Sequence, residues 1–144
     1  MGQRFAARVR DISEFLVSLP LRNPRGELPR RVAYHDPCHL CHVQNIRSAP
    51  RELLQSIRGI KLIPLEESET CCVAAGPYSL TQPEMSRRLA VRKWRHLART
   101  EPDVIATGNV GCVLQLMQHA PPDRAHVPIV HPIELLAHAY ENAR

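Results

Sequence analysis

Two adjacent cysteines, Cys71 and Cys72, stand in a small-residue segment from Thr70 to Gly76, between a predicted strand and a predicted helix. Adjacent Cα atoms across a trans peptide lie about 3.8 Å apart, below the roughly 4.4 to 6.8 Å that a relaxed disulfide spans. The two thiols are therefore poor disulfide partners for each other. We expect them to bind something else.

Three further cysteines, Cys38, Cys41 and Cys112, bring the total to five. Residues 1–8 contain no apolar core followed by a small-residue cleavage site, so the sequence predicts no secretory signal and a cytoplasmic protein. In a reducing compartment, an odd number of cysteines favours metal ligands or reactive thiols over a disulfide framework. No apolar run approaches the roughly 20 residues of a membrane span.

The composition is that of an ordinary globular protein. A length of 144 residues, 44% of them apolar, is enough to bury a core without metal or disulfide staples. The net charge of +5 is modest, and aromatic residues for stacking on bases make up only 4%. We therefore expect one compact domain and no nucleic-acid partner, whereas an acidic protein partner is at least as well supported.

The cysteines are positioned by the elements around them, beginning with an amphipathic helix predicted over residues 3–19. Its apolar stripe recurs at spacings of three and four residues and consists of Phe5, Val9, Ile12, Leu16 and Leu19. The proline-rich segment 20–30 predicts a linker. Residues 31–144 then form the predicted cysteine-rich domain.

Short apolar strands alternate with helices through this domain. The predicted strands are Arg31–His35, Lys61–Leu65, Asp103–Thr107 and His126–Val130, and the predicted helices are Pro50–Ile57, 82–99, Cys112–His119 and Pro132–Ala143. Thr81 and Glu84 have the spacing of a capping box for the second helix. This alternation favours an α/β fold with a parallel, Rossmann-like sheet of about four strands and flanking helices.

A cysteine follows each of the first three predicted strands: Cys38 the first, the Cys71–Cys72 pair the second and Cys112 the third. In an open parallel sheet the loops after the strands lie at one carboxyl edge, where ligands bind. We therefore expect these four thiols to converge there. Gly108 and Gly111 beside Cys112 would allow close backbone approach to a bound group.

Three kinds of chemistry suit four such thiols. A structural zinc site normally uses cysteine pairs spaced by two to four residues, which Cys71 and Cys72 lack. Adjacent cysteines more easily bind different irons of an iron–sulfur cluster, so the cluster is the favoured interpretation. A zinc site and unmetallated redox or buried thiols remain the alternatives.

Other polar residues near the loop ends are weaker candidates. Cys41 forms a Cys-x-x-Cys with Cys38, and we expect Cys41 and His39 to neighbour the ligands rather than to bind metal. Three more histidines are interpreted as simple loop residues: His35, His42 and His131. Asp36 and Glu134 have no sequence partner that would mark an acid and base pair, and no phosphate-binding glycine loop is present.

Four arginines, Arg88, Arg92, Arg95 and Arg99, share one face of the predicted helix over residues 82–99. A solvated helix face is the favoured explanation. A docking surface for an acidic electron-transfer partner is the alternative hypothesis.

From about Phe5 to Tyr140 the sequence resembles the cysteine-rich domain of the glycolate oxidase (glycolate dehydrogenase) iron–sulfur subunit. It is more distantly similar to heterodisulfide reductase and lactate-utilisation proteins. The resemblance is carried by Tyr34–His42, Pro50–Leu54, Cys71–Cys72, Leu80–Met85, Thr107–Asn109, Gly111–Cys112 and His131–Leu136.

The resemblance implies a non-catalytic electron-transfer subunit of an oxidoreductase. Its cofactor would be an iron–sulfur cluster of the 4Fe–4S type, held by Cys38, Cys71, Cys72 and Cys112. In this chain Val73 replaces the glycine of the family's Cys-Cys-Gly hallmark, and Gln115 stands where heterodisulfide reductase types carry a further cysteine.

The resemblance also implies partners. Flavin-containing dehydrogenase subunits would supply electrons, and an acceptor such as quinone would receive them, which implies a location at the inner face of the cell membrane through the complex. Family members carry an amino-terminal ferredoxin-like region and an earlier copy of the cysteine-rich domain. We therefore expect this chain to be a fragment, a split subunit or a decayed copy, with the ferredoxin-like portion supplied by another chain.

Overall fold

The computed structural model describes residues 2, 5, 8–20, 24–74 and 78–142. At its centre is a four-stranded sheet with the strand order β2-β1-β3-β4. The strands are β1 (Glu27–His35), β2 (Arg58–Ile63), β3 (Val104–Thr107) and β4 (Ile129–Val130). All three pairings are parallel. The predicted α/β fold with a parallel sheet of about four strands is confirmed.

Helices cover both faces of this sheet. In chain order they are α1 (Ile12–Val17), α2 (Ala49–Gln55), α3 (Tyr78–Thr81), α4 (Pro83–Thr100), α5 (Val110–Gln118) and α6 (Pro132–Glu141), and a π-helical turn, His39–Val43, follows β1. None of the helices in the described ranges combines the length and the apolar character needed to cross a bilayer.

The central strands are buried on both faces, so successive residues enter two different cores. Val32 and Tyr34 of β1 pack with leucines of α2 and α6. Ala33, between them, packs on the other side with Trp94, Leu97 and Leu116 from α4 and α5. Because a slip of one residue would exchange the two sets, this packing fixes the register of β1 and with it the position of the loop that follows.

Strand β1 begins at Glu27, inside the segment predicted as a linker. Pro29 argued against a strand here, because proline has no N–H to donate to a neighbouring strand. It is tolerated here because only residues 32–35 of β1 pair with β3, and the pairing with β2 changes register between Glu27 and Arg30. Opposite this irregularity Gly59 has φ +86°, and a Cβ there would lie 3.0 Å from the nitrogen of Pro29.

The amino-terminal helix α1 is shorter than the predicted span of residues 3–19. Asp11 caps it by accepting a hydrogen bond from the Ser13 nitrogen at 2.9 Å, so the helix begins at Ile12 and residues 8–10 are not helical. Residues 3, 4, 6 and 7 lie outside the described residues. Leu16 packs against the core, whereas Phe15 is 46% exposed. The division into helix, linker and domain stays a prediction.

The capping box predicted at Thr81 and Glu84 is wrong. Thr81 belongs to α3, and its hydroxyl donates to the Tyr78 carbonyl at 3.4 Å. Helix α4 instead begins after Gln82, with no side-chain capping bond, and Glu84 pairs with Arg87 on the same helix.

Candidate metal centre

Four cysteine sulfurs from three loops meet at the carboxyl edge of the sheet. The Sγ atoms of Cys71 and Cys38 are 3.8 Å apart, and those of Cys72 and Cys112 are 2.9 Å apart. The Cys71 and Cys72 thiols are also hydrogen-bonded to each other, so the two pairs form one continuous group. The structure thus brings together the four thiols that the strand order placed at this edge, while their role as ligands stays a prediction.

Cys112 is positioned by the start of α5. The helix begins two residues before it, at Val110, and Asn109 caps it by accepting a hydrogen bond from the Cys112 nitrogen at 3.0 Å. A Cβ at Gly111 would lie 2.9 Å from the Asn109 oxygen, so glycine leaves room for this cap. The thiol therefore stands in the first turn of a helix, where free N–H groups and the helix dipole stabilise negative charge on sulfur.

Val73, which follows the cysteine pair, has φ +63°, in the left-handed region that favours glycine. Its N–H donates to the Cys71 sulfur at 3.2 Å, so the turn orients a backbone donor toward the thiol group. The loop therefore adopts the conformation that a glycine would adopt, although valine occupies the position. Holding a β-branched residue there costs about 1 to 3 kcal/mol.

This strain can be measured by comparing two glycine substitutions. Val127 is 7% exposed against 5% for Val73 and does not have a positive φ. Val127→Gly should lower the free energy of unfolding by about 3 kcal/mol, through lost apolar burial and the greater chain entropy of glycine. Val73→Gly suffers the same losses but relieves the strain, so we expect a loss of only about 1 kcal/mol. Urea unfolding of the metal-free protein compares them, and equal losses would show that Val73 is unstrained.

The thiols of the pair hold their protons in the absence of metal. The hydrogen bond to Cys112 and burial raise the pKa of Cys72 to about 11. The hydrogen bond with Cys72, together with burial, raises the pKa of Cys71 as well. A metal that binds these sulfurs must displace their protons, so its affinity grows as the pH rises.

A buried lysine organises the loop that leads to the cysteine pair. Lys93 of α4 is only 2% exposed, and its Nζ donates to the carbonyl of Glu67 and, at 3.4 Å, to that of Ser68. Burial lowers the pKa of Lys93. The Ser68 carbonyl also accepts from the Asp36 nitrogen at 3.0 Å, so α4 and the end of β1 hold the same loop. Sequence reasoning missed Lys93, because on its own helix it resembles any other surface cation.

His35 is the buried last residue of β1, not the loop residue that the sequence suggested. Its Nδ1–H donates to the Ser68 carbonyl at 2.9 Å. Its Nε2 is buried and has no hydrogen-bond partner in the described part of the chain. Burial, with the nearby Lys93 charge, lowers the pKa of His35 to about 4, so the ring is neutral at neutral pH. The available signal was a polar residue ending a strand buried on both faces.

Asp36 has a partner that its sequence neighbours do not reveal. Its two carboxylate oxygens accept bonds of 2.6 Å each from the two terminal nitrogens of Arg51, and the Arg51 guanidinium lies 4.9 Å from the centre of the Tyr34 ring. Burial is the largest single influence and would raise the pKa of Asp36, but the hydrogen bonds from Arg51 and Ser68 and the Arg51 charge together outweigh it and hold that pKa below its usual range. The ion pair ties α2 to the segment between β1 and Cys38.

Glu134 and His131 have a structural role at the start of α6. The Glu134 carboxylate accepts from the His131 nitrogen at 2.7 Å, while the His131 Nδ1 accepts from the Ile133 nitrogen at 3.2 Å. Together they form a capping box. The capping box explains both residues structurally and is no evidence that either transfers a proton.

The π-helical turn carries the remaining candidates near Cys38. Cys41 is buried, and its Sγ lies 3.8 Å from the Cys38 carbonyl oxygen, while the partly exposed His39 begins the turn. The exposed His42 contacts the Glu69 carbonyl through its Nε2 at 3.1 Å. Ligand atoms of Cys41, His42 and Glu69 lie within 4.8 Å of one another, but the Glu69 carboxylate is paired with a guanidinium.

Two of the four arginines that share one face of α4 are engaged within the protein. Arg92 pairs with Glu67 at 2.5 Å, and Arg99 with Glu66 at 3.2 Å. Arg88 and Arg95 have no ion-pair partner within the described ranges. Half of this face thus anchors the loop before the cysteine pair, which supports the solvated-face interpretation.

Gln115, the residue noted from the sequence in place of a further cysteine, joins α5 to α4. It is buried, and its amide donates to the Ser86 hydroxyl at 2.9 Å. Nearby the Trp94 indole donates to the Leu116 carbonyl at 2.9 Å. These bonds fix the helix that carries Cys112 against its neighbour.

Several known proteins share this sequence pattern. Lactate utilization protein A of Oceanobacillus iheyensis is 32% identical over 127 residues, which cover 88% of this chain and 52% of that protein. The probable glycolate oxidase iron-sulfur subunit of Bacillus subtilis is 36% identical over 114 residues, covering 78% of this chain and 26% of that protein. The glycolate oxidase iron-sulfur subunit of Escherichia coli K12 is 30% identical over 144 aligned positions, which cover 95% of this chain and 34% of that protein. The chain thus spans about half or less of the length of these relatives.

The family described as "CCG: Cysteine-rich domain" matches residues 32–117, from the buried half of β1 to the last turn of α5. That range contains all four cysteines of the thiol group and accounts for more than half of the chain. The resemblance seen in the sequence is therefore confirmed, and the chain belongs to the family of CCG cysteine-rich domains.

Proposed function

We propose that this chain is an iron–sulfur electron-transfer module of a flavin-linked 2-hydroxy-acid dehydrogenase complex, with glycolate as the favoured substrate of the complex. The observation that carries the proposal is the single group formed by four cysteine sulfurs at the edge of the sheet. The names of the similar iron-sulfur subunits support the cofactor and the complex.

The donor set fits an iron–sulfur cluster. Cys38, Cys71, Cys72 and Cys112 would bind through their thiolates, which are the ligands that such clusters use. When bound, the cluster, which we propose to be 4Fe–4S, would carry one electron at a time. The chain itself contributes the first turn of α5 at Cys112 and the Val73 N–H at Cys71, two donors that stabilise negative charge on sulfur.

A zinc-stabilised assembly domain without a redox role is the second candidate, and one distance favours it. Two thiolates bound to the same tetrahedral zinc at about 2.3 Å lie roughly 3.8 Å apart. The Cys38 and Cys71 sulfurs have this separation. The names of the similar proteins favour iron, so zinc remains the alternative.

Electron transfer from a flavin partner gives the direct functional test. The reconstituted chain is mixed anaerobically with the flavin-containing dehydrogenase subunit, and glycolate or lactate is added. We expect the visible absorption of the cluster to bleach only when subunit and substrate are both present. A cluster that stays oxidised while the flavin is reduced would contradict the proposed place in the complex.

Charge reversal tests whether the unpaired arginines of α4 guide this partner. Arg88→Glu with Arg95→Glu should lower the association rate about tenfold or more at low salt if an acidic partner docks on this face. Arg25→Glu with Arg30→Glu, at two exposed arginines outside α4, controls for the same change in net charge. Surface plasmon resonance at two salt concentrations measures the association rate of the test variant and of the control. An unchanged rate for the test variant would mean that the four arginines form a solvated face and not a docking surface.

A further inference from the structure

The most unusual polar group beside the thiols is the imidazole of His35. The side chain has no exposed surface, and its Nε2 has no hydrogen-bond partner among the described residues. A buried polar atom without a partner normally costs about 1 to 3 kcal/mol. The position therefore calls for an explanation in terms of a bound group.

The hydrogen bond at the other ring nitrogen sets the tautomer. Because the Ser68 carbonyl can only accept, the Nδ1 of His35 must carry the proton of their 2.9 Å bond. In a neutral ring Nε2 is then left with its lone pair free. Histidines that bind metals characteristically donate their second ring N–H to a backbone carbonyl or a carboxylate in this way.

The His35 ring lies in the same small space as two of the thiols. A ring nitrogen of His35 and the sulfurs of Cys72 and Cys112 all lie within 4.8 Å of one another, and all three residues are buried. Metal bonds of about 2.0 to 2.3 Å from nitrogen and sulfur are compatible with that separation. The same Ser68 carbonyl is held by Lys93, so the ring is fixed in its orientation.

We infer that the Nε2 atom of His35 is a metal ligand at this site, beside the sulfurs of Cys72 and Cys112. The inference rests on the proposed function and deepens it, because it adds a nitrogen to the cysteine donors of the centre. It also explains why a strand buried on both faces ends in histidine.

Pulsed EPR of the whole chain, reconstituted anaerobically with iron and sulfide and then reduced, tests this inference. Protein with natural histidine is compared with protein labelled with ¹⁵N-histidine. We expect a strong nitrogen coupling that changes with the label and is absent in His35→Gln, whose amide can still donate to Ser68. His39→Gln is the matched control, since His39 neighbours Cys38 in sequence, and there the coupling should persist.

An iron-loaded protein without a strongly coupled nitrogen, or a coupling that survives His35→Gln, would overturn the inference but leave the proposed function intact. If His35→Gln fails to fold, the other seven histidines decide by elimination, because the coupling must survive when each of them is replaced in turn by glutamine. A chain that takes up no iron contradicts the proposed function instead. The same isotope comparison on the cobalt(II)-loaded protein then decides the role of His35.

Discussion

Replacing Cys72 by serine should lower the affinity of the site for iron by roughly 100-fold or more, so that little iron stays bound to the chain. Even hydrogen-bonding partners of metal ligands alter affinity by about 10- to 100-fold, and loss of a ligand exceeds that. Cys72 is 1% exposed and contacts the Cys112 sulfur at 2.9 Å, so no solvent ligand can easily take its place. Iron analysis of anaerobically reconstituted protein measures the effect.

Cys41→Ser is the matched control for this prediction. Cys41 is equally buried, at 1% exposure, but its sulfur contacts the Cys38 carbonyl. We expect this variant to bind as much iron as the natural chain. Iron lost from Cys41→Ser but retained by Cys72→Ser would mean that the ligand set has been assigned to the wrong residues.

The second large effect concerns folding. Arg51→Ala should lower the free energy of unfolding of the metal-free protein by about 2 to 3 kcal/mol. Breaking a buried ion pair costs about 3 to 5 kcal/mol because one charge is left uncompensated, and the loss is smaller here because the Arg51 side chain is 32% exposed. Arg47→Ala removes a pair whose side chains are about half exposed, and should cost less than about 1 kcal/mol. Equal effects in urea unfolding would contradict a structural role for the buried pair.

The same pair makes stability depend on pH. Although burial opposes it, Arg51 holds the pKa of Asp36 below the ordinary value of 3.8. The pair therefore stabilises the fold above about pH 4, and this contribution is lost as the pH falls through the lowered pKa. The difference in stability between the natural chain and Arg51→Ala should accordingly shrink as the pH is lowered from 7 toward 3. A difference that stays constant would show that Asp36 does not titrate as described.

The placement of the four thiols could be predicted because it depends on local patterns and one general rule. Strand and helix alternation implies a parallel sheet, and a cysteine after each of three strands then lies at the carboxyl edge. The exact ends of the strands and helices were harder to predict from the sequence. The first half of β1 was hidden by Pro29, and the cap of α4 was assigned to the wrong residue because Thr81 belongs to its own short helix.

The residues that support the thiols could not be predicted, because each acts across a long stretch of chain. Arg51 reaches Asp36 over 15 residues, Lys93 reaches Ser68 over 25, and His35 reaches Ser68 over 33. None of these spacings is a motif, and each depends on how the helices pack on the sheet. The sequence could show that Val73 stands in the place of a glycine, but only the backbone shows that the turn retains the left-handed conformation.

Anaerobic purification followed by analysis of iron, acid-labile sulfide and zinc tests the central claim most directly. Four thiols that hold a 4Fe–4S cluster predict about four iron and four sulfide per chain, with a brown protein and little zinc. A colourless protein that contains one zinc per chain and neither iron nor sulfide would contradict the account.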